Sequence, residues 1–110
     1  MCIFCKIIKK EIPSDIIYED KNTLAFYDIN PKAPVHFLVI PKVHIIESVN
    51  DINETNSGIA ASCFETIAKT AAKLGLKNGY RIVNNCGEDG GQTVDHLHFH
   101  VLGGQKFTDL

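Results

Sequence analysis

The chain has no apolar run approaching the roughly 20 residues that a membrane-spanning helix requires. It also has no block of like charge. Its 11 Lys and Arg are set against 13 Asp and Glu, for a formal net charge of −2. That balance argues against partners such as nucleic acid polymers and anionic membranes, which bind through basic surfaces. Repeats, low-complexity tracts and Pro-, Gly- or Ser-rich linkers are absent, so residues 1–110 are expected to form one domain. There are only four cysteines, and no second C-x-x-C accompanies Cys2-x-x-Cys5. A disulfide framework is therefore a poor reading, and a site made of two thiolate pairs is excluded. The N-terminal MCIFCKIIKKEIP is apolar first and basic afterwards. A secretory signal runs in the other order, so a cytoplasmic location is expected.

The remaining composition is that of a globular domain: 45% hydrophobic residues and 22% charged argue against disorder. A domain this small buries only about two-thirds of its unfolded surface, and a metal or a partner subunit adds stability to such chains. Residues 2–9 read as a short helix, ended by Ile12-Pro13. Ile16 to Glu19 and Thr23 to Ile29 read as strands about a turn at Asp20-Lys21-Asn22, and the prolines of 30–34 mark a loop. Val35 to Ile40 is strand-like, with His36, Leu38 and Ile40 on one face and Phe37 and Val39 on the other. Ile59, Cys63, Ile67, Ala71 and Leu74 form a helical stripe between about Asn56 and Leu74, and Gly75 is its stop. Gly79 to Asn85 and Leu97 to Leu102 complete the strands. The order predicts an α+β fold: a five-stranded antiparallel sheet with one long and one short helix, with helix packing on one side.

The segment Asp95-His96-Leu97-His98-Phe99-His100-Val101-Leu102 carries most of the chemistry. On a strand, His96, His98 and His100 share a face about 6–7 Å apart, while Leu97, Phe99 and Val101 enter the core. Three of the chain's five histidines alternating in this way are a poor match to a merely solvated face. Two chemistries remain. Histidines at i and i+2 can hold a metal. Alternatively, a neutral imidazole can attack an electrophile while a neighbour donates to anionic oxygens. The loop upstream favours the second, because Asn85, Gly87, Gly90, Gly91, Gln92 and Thr93 supply small residues, amides and a hydroxyl suited to a phosphate.

Cys2 and Cys5 offer a thiolate pair that a tetrahedral metal site would complete with histidines. His44, after Pro41-Lys42-Val43, and His96, at the start of the triad, are the candidates. The alternative is packed or exposed thiols with His44 on the surface. Cys63, on the apolar stripe, reads as core, and Cys86 as structural.

The stretch from His96 to Leu102 resembles the His-φ-His-φ-His-φ-φ signature (φ apolar) of the histidine triad (HIT) family, in its Hint branch of nucleotide-binding proteins. Ile3-Phe4-Cys5-Lys6-Ile7-Ile8, Leu24-Ala25-Phe26-Tyr27-Asp28-Ile29, Ala33 to Lys42, Gly79-Tyr80-Arg81 and Gly90-Gly91-Gln92 resemble Hint segments in the same order. The resemblance implies a HIT-like fold and a homodimer whose sheets join into one. It also implies binding of purine nucleotides of the AMP or GMP type, and hydrolysis of purine nucleoside phosphoramidates through a nucleotidyl-histidine. It places the nucleophile at His98, with His100, Asn85, Gln92 and Thr93 around the α-phosphate. His36 would hydrogen-bond within the histidine cluster, Asp28 would bind the ribose, and Ile3, Phe4, Ile7, Phe26 and Ile29 would shape the base pocket. It further implies a structural zinc on Cys2, Cys5, His44 and His96, with no metal needed for the chemical step. Asp95 departs from the family pattern and is expected to set a carboxylate beside His96. The rival activities are a dinucleoside polyphosphate hydrolase, a nucleotide-sensing module with little turnover, and a metal hydrolase using His98 and His100 as ligands.

Overall fold

The computed structural model of the chain describes residues 2–110. Its elements are α1 (Ile3–Ile8), β1 (Ile16–Glu19), β2 (Thr23–Tyr27), β3 (Val35–Pro41), a 3-10 turn (Val49–Asp51), α2 (Ser57–Lys73), β4 (Arg81–Val83) and β5 (Phe99–Gly103). The five strands form one antiparallel sheet in the order β1-β2-β3-β5-β4. Phe37 lies opposite both Tyr27 and Val101, and Leu38 opposite both Phe26 and His100. No helix is long and apolar enough to cross a membrane among the described residues.

Alternation along the central strands builds two apolar layers. Ala25, Phe37, Val39, Phe99 and Val101 face α2 and pack on its Cys63 and Ile67. Leu24, Phe26, Leu38 and Ile40 face the other way and pack on Phe4 and Ile7 of α1. The expectation of helix packing on one side is corrected accordingly: the long helix covers one face and the short helix part of the other. A six-residue helix does not persist alone, so α1 depends on this docking.

The helical stripe holds. Cys63, Ile67 and Ala71 are buried, and Ile59 and Leu74 pack at the edge of the same cluster. Burial pushes the Cys63 thiol up to about 12, as suits a core residue. Gly75, at φ 74°, closes α2 with bonds from its own N–H to Ala72 O and from Leu76 N–H to Ala71 O. The same double bond closes α1, where Lys10 N–H reaches Ile7 O and Glu11 N–H reaches Lys6 O. There, however, the left-handed position is held by Lys10, at φ 62°.

Three strands end differently from expectation. β2 stops at Tyr27 because Asp28 Oδ1 accepts from Asn30 N–H at 2.8 Å and turns the chain. β4 is only three residues, since Gly79, at φ 106°, precedes it and Asn84 and Asn85 turn to brace other segments. β5 begins at Phe99 rather than Leu97. The carbonyls of His96 and His98 accept from the His98 ring and the Asn84 amide, and Leu97 N–H reaches Ile46 O.

Two stability changes follow. Lys10→Gly relieves the left-handed strain at the cost of one exposed ion pair to Glu19, so it is expected to stabilise the chain by about 0.5–1 kcal/mol, read as a higher urea midpoint. Thr70, fully buried, has a hydroxyl without a hydrogen-bond partner, whereas the nearby Thr23 and Thr66 hydroxyls bond each other at 2.6 Å. Thr70→Val is expected to stabilise by about 1 kcal/mol, and Thr66→Val, which removes the bond to Thr23 Oγ1 while Thr23 keeps its donation to Asp20 Oδ1, to destabilise.

Candidate active site and metal centre

The chain from His96 to His98 runs into β5 with its odd residues in the α2 core and its histidines on the opposite face. The ring of His98 is buried, 4% exposed, with the edge of Phe4 against it at 5.0 Å between centroids. Its Nδ1–H donates to the His96 carbonyl at 2.7 Å, which leaves the lone pair on Nε2. The Asn84 amide holds the His98 carbonyl at 2.9 Å. Burial lowers the pKa of His98 against the opposing pull of the His96 carbonyl and the Asp28 charge, so the ring is neutral at ordinary pH.

His36 sets the tautomer of His100. Its Nδ1 accepts from the backbone N–H of Lys32 at 3.0 Å, so its proton is on Nε2 and is donated to His100 Nδ1 at 2.9 Å. The proton of His100 is then on Nε2, as a donor. Burial, followed by the neighbouring His98 and His36, pushes His100 down to about 4, and burial likewise lowers His36. Asp28 is close to both rings, with Oδ2 3.5 Å from His36 Nε2 and 3.9 Å from His100 Nδ1.

The His98 and His100 rings stand at the polar end of a cavity of about 280 Å³, whose apolar walls include Phe4, Ile7, Phe26 and Leu38. Its size is near the lower end of small-molecule sites. Ile3, half exposed, and Ile29, 89% exposed, form its rim, and Thr93 and Asp28 also line it. Asn85 lies outside this cavity, in an adjoining hollow that shares Asp28 and His100, and its amide donates to Gly90 O at 2.8 Å. Gln92 is occupied within the loop. Its N–H reaches Gly87 O, its Oε1 accepts from Gly87 N–H, and its Nε2 donates to the Glu47 and Val94 carbonyls. Larger grooves elsewhere, such as one of about 420 Å³ beside Lys21 and Lys42, are lined by neither histidine nor cysteine. Sequence reasoning did not select Ile12, Pro13, Ser14, Leu38 and Val94, which line the cavity, or Asn84, which braces His98. The alternation of Leu38 with His36 could have shown Leu38; nothing in the local pattern singles out Asn84.

Cys2, Cys5, His44 and His96 come together from three distant stretches of chain. Cys2 caps α1, accepting from Cys5 N–H at 3.2 Å. The two Sγ atoms are 3.1 Å apart, and the Nδ1 atoms of His44 and His96 lie 3.1–3.7 Å from them. A tetrahedral ion with bonds of about 2.0–2.3 Å separates its donors by roughly 3.3–3.8 Å. Three of these five distances lie in that range and the two others, both from Cys5 Sγ, fall just short of it, so the four atoms are grouped as a metal would need them. Their other nitrogens agree. His96 Nε2–H donates to Pro41 O at 2.8 Å and His44 Nε2–H to Asp95 O at 2.6 Å, so both Nδ1 lone pairs face the thiols. The expected carboxylate partner of His96 is thereby corrected: Pro41 O holds that ring, and Asp95 contributes its main-chain carbonyl, to His44.

The family model described as the HIT domain matches residues 9–107. The chain belongs to the HIT family. An uncharacterized HIT-like protein of Buchnera aphidicola is 50% identical over 100% of both chains. A HIT family hydrolase from Clostridium thermocellum superposes with a TM-score of 0.94 at 51% identity, covering 99% of this chain and 95% of that one. A histidine triad nucleotide-binding protein from Candida albicans superposes with a TM-score of 0.82 at 33% identity, over 100% and 85% of the two chains.

Within this HIT domain, the described residues give no donor cluster that holds both His98 and His100: neither belongs to the set of Cys2, Cys5, His44 and His96, and the group that contains His100 lacks His98. Asp28, His36 and His100 also converge, but a proton lies between the two rings. The neutral His100 yields a pH prediction. Unfolded, it takes up a proton near its ordinary value of 6.5; folded, only near 4. Its contribution to stability is therefore full above about pH 6.5 and lost as pH falls toward 4. The urea midpoint of His100→Gln should fall less steeply than that of the parent across this window; equal slopes would show that the fold does not hold the ring neutral.

Proposed function

We propose that this chain is a Hint-type nucleotidyl hydrolase that cleaves purine nucleoside phosphoramidates, such as adenosine phosphoramidate and aminoacyl or lysyl adenylates. The observation that carries this reading is the tautomer of His98. With Nδ1–H held by the His96 carbonyl, the Nε2 lone pair belongs to a ring that lines an apolar-walled cavity next to a histidine whose Nε2 is a donor. Support also comes from the hydrolase and nucleotide-binding descriptions of the related proteins.

In this mechanism the base lies among Ile3, Phe4, Ile7, Phe26 and Ile29, and the ribose hydroxyls meet Asp28. The α-phosphate takes hydrogen bonds from His100 Nε2–H, Thr93 and Asn85, with Gln92 bracing the loop that carries them. His98 Nε2 attacks phosphorus, the P–N bond breaks with its electron pair leaving on the amine nitrogen, and that nitrogen takes a proton from solvent water. His100, held neutral, gives a hydrogen bond to a phosphoryl oxygen rather than a proton. Water then attacks phosphorus, the P–Nε2 bond breaks with its electron pair returning to His98, and the monophosphate leaves. Zinc is the ion we assign to Cys2, Cys5, His44 and His96, because thiolate and imidazole donors in a tetrahedral set suit it. Four protein ligands leave no position for substrate, so its role is structural.

A homodimer and a cytoplasmic location complete the proposal. β4 is an edge strand with Ile82 exposed on it and Tyr80 exposed just before it, and pairing it with its copy would join two sheets.

The test is intact-mass spectrometry during turnover of adenosine phosphoramidate. The slow variant His100→Gln is expected to accumulate a nucleotidyl adduct on His98. His98→Ala is expected to lose about a thousandfold or more in kcat while still binding the monophosphate. Parental turnover by His98→Ala, or an adduct on another residue, overturns the reading.

A further inference from the structure

The metal cluster and the nucleophile are neighbours along the chain, and the contacts between them are specific. The His96 carbonyl that accepts the Nδ1–H of His98 belongs to the residue whose ring joins the cluster. That ring is fully buried and engaged at both ends. Nε2–H reaches Pro41 O at 2.8 Å, and Nδ1 faces Cys2 Sγ at 3.3 Å. The peptide units on either side are tied down as well, Asp95 O by the His44 ring at 2.6 Å and Leu97 N–H by Ile46 O at 3.0 Å. Phe4, between the two cysteines in sequence, sets its edge against His96 at 5.9 Å and against His98 at 5.0 Å between centroids. His44, by contrast, is exposed and does not line the nucleotide cavity.

We propose that this cluster is the positioning device for the nucleophile. His44 is a positioning residue: with Cys2 and Cys5 it clamps the His96 ring and the Asp95 carbonyl, and so orients the His96 carbonyl. That carbonyl keeps the His98 proton on Nδ1 and the attacking lone pair on Nε2. The inference rests on the assignment of His98 as nucleophile and goes beyond a structural role for the ion, which requires only that α1 stay docked. When the clamp is lost, the carbonyl is no longer fixed, and the ring populates the other tautomer, which has no lone pair on Nε2.

The test reads the tautomer directly, by ¹⁵N NMR of the imidazoles at mildly alkaline pH, alongside the rate of adduct formation from adenosine phosphoramidate. Four forms are compared: the zinc-loaded parent, the parent stripped with a chelator, His44→Ala, and His44→Cys, which restores a set of three thiolates and one imidazole. The loaded parent and His44→Cys should show His98 wholly as the Nδ1–H form. The stripped parent and His44→Ala should show a mixture of tautomers with unchanged far-UV circular dichroism, and an adduct rate lower by roughly tenfold or more. Should stripping unfold the chain, His44→Ala against His44→Cys decides, because that side chain is exposed. A pure Nδ1–H signal in His44→Ala overturns the inference. A tautomer shift with no adduct in any form overturns the hydrolase reading and leaves the coupling standing.

Discussion

The bond from His98 Nδ1–H to the His96 carbonyl is the constraint on which the site depends. An imidazole has two nitrogens, and a neutral one can offer a lone pair at only one of them. Committing Nδ1 to a main-chain acceptor decides that the other nitrogen carries the lone pair. The same logic repeats through the cluster. His36 takes a backbone N–H at one nitrogen and therefore donates with the other, which makes His100 a donor toward the cavity. His44 and His96 donate to backbone carbonyls and therefore turn lone pairs toward Cys2 and Cys5. All five histidines have their roles set by main-chain atoms, directly or through one neighbour.

Burial makes these assignments costly to break. His36, His96 and His98 are each less than a tenth exposed, and charging a ring in that setting costs desolvation energy. The pKa values accordingly move down, and the polar end of the cavity stays uncharged apart from Asp28. In the proposed function an anionic phosphoryl group is held by neutral donors, and the ion that the cluster fits would sit on His96, two residues along the chain from His98.

Much of this arrangement is legible in the sequence. Period-two alternation assigned both faces of the central strands, and period-3.6 spacing assigned the stripe of α2 through Cys63, Ile67 and Ala71. The donor set Cys2, Cys5, His44 and His96 was legible because few residues can bind a soft metal and the chain has few histidines to choose from. The late start of β5, the short β4 and the placing of α1 on the face opposite α2 were not. Each depends on side chains such as Asn84 and Phe4 meeting partners elsewhere in the chain, a main-chain carbonyl for Asn84 and the apolar face of the sheet for Phe4. Gln92 illustrates the same limit, since a glutamine in a glycine-rich loop suggests a phosphate contact, yet its amide is occupied by carbonyls of Glu47 and Val94.

By itself the sequence determined which residues could do chemistry and on which face of a strand they would stand, because both follow from residue type and local period. Only the tertiary structure decided which nitrogen of each ring is free, which donors converge and how large a cavity they share. A tautomer is set by whichever carbonyl, amide or ring lies within about 3 Å; for His44, His96 and His100 that partner comes from a segment distant in sequence, and for His36 and His98 it is a nearby main-chain group that the fold turns toward the ring.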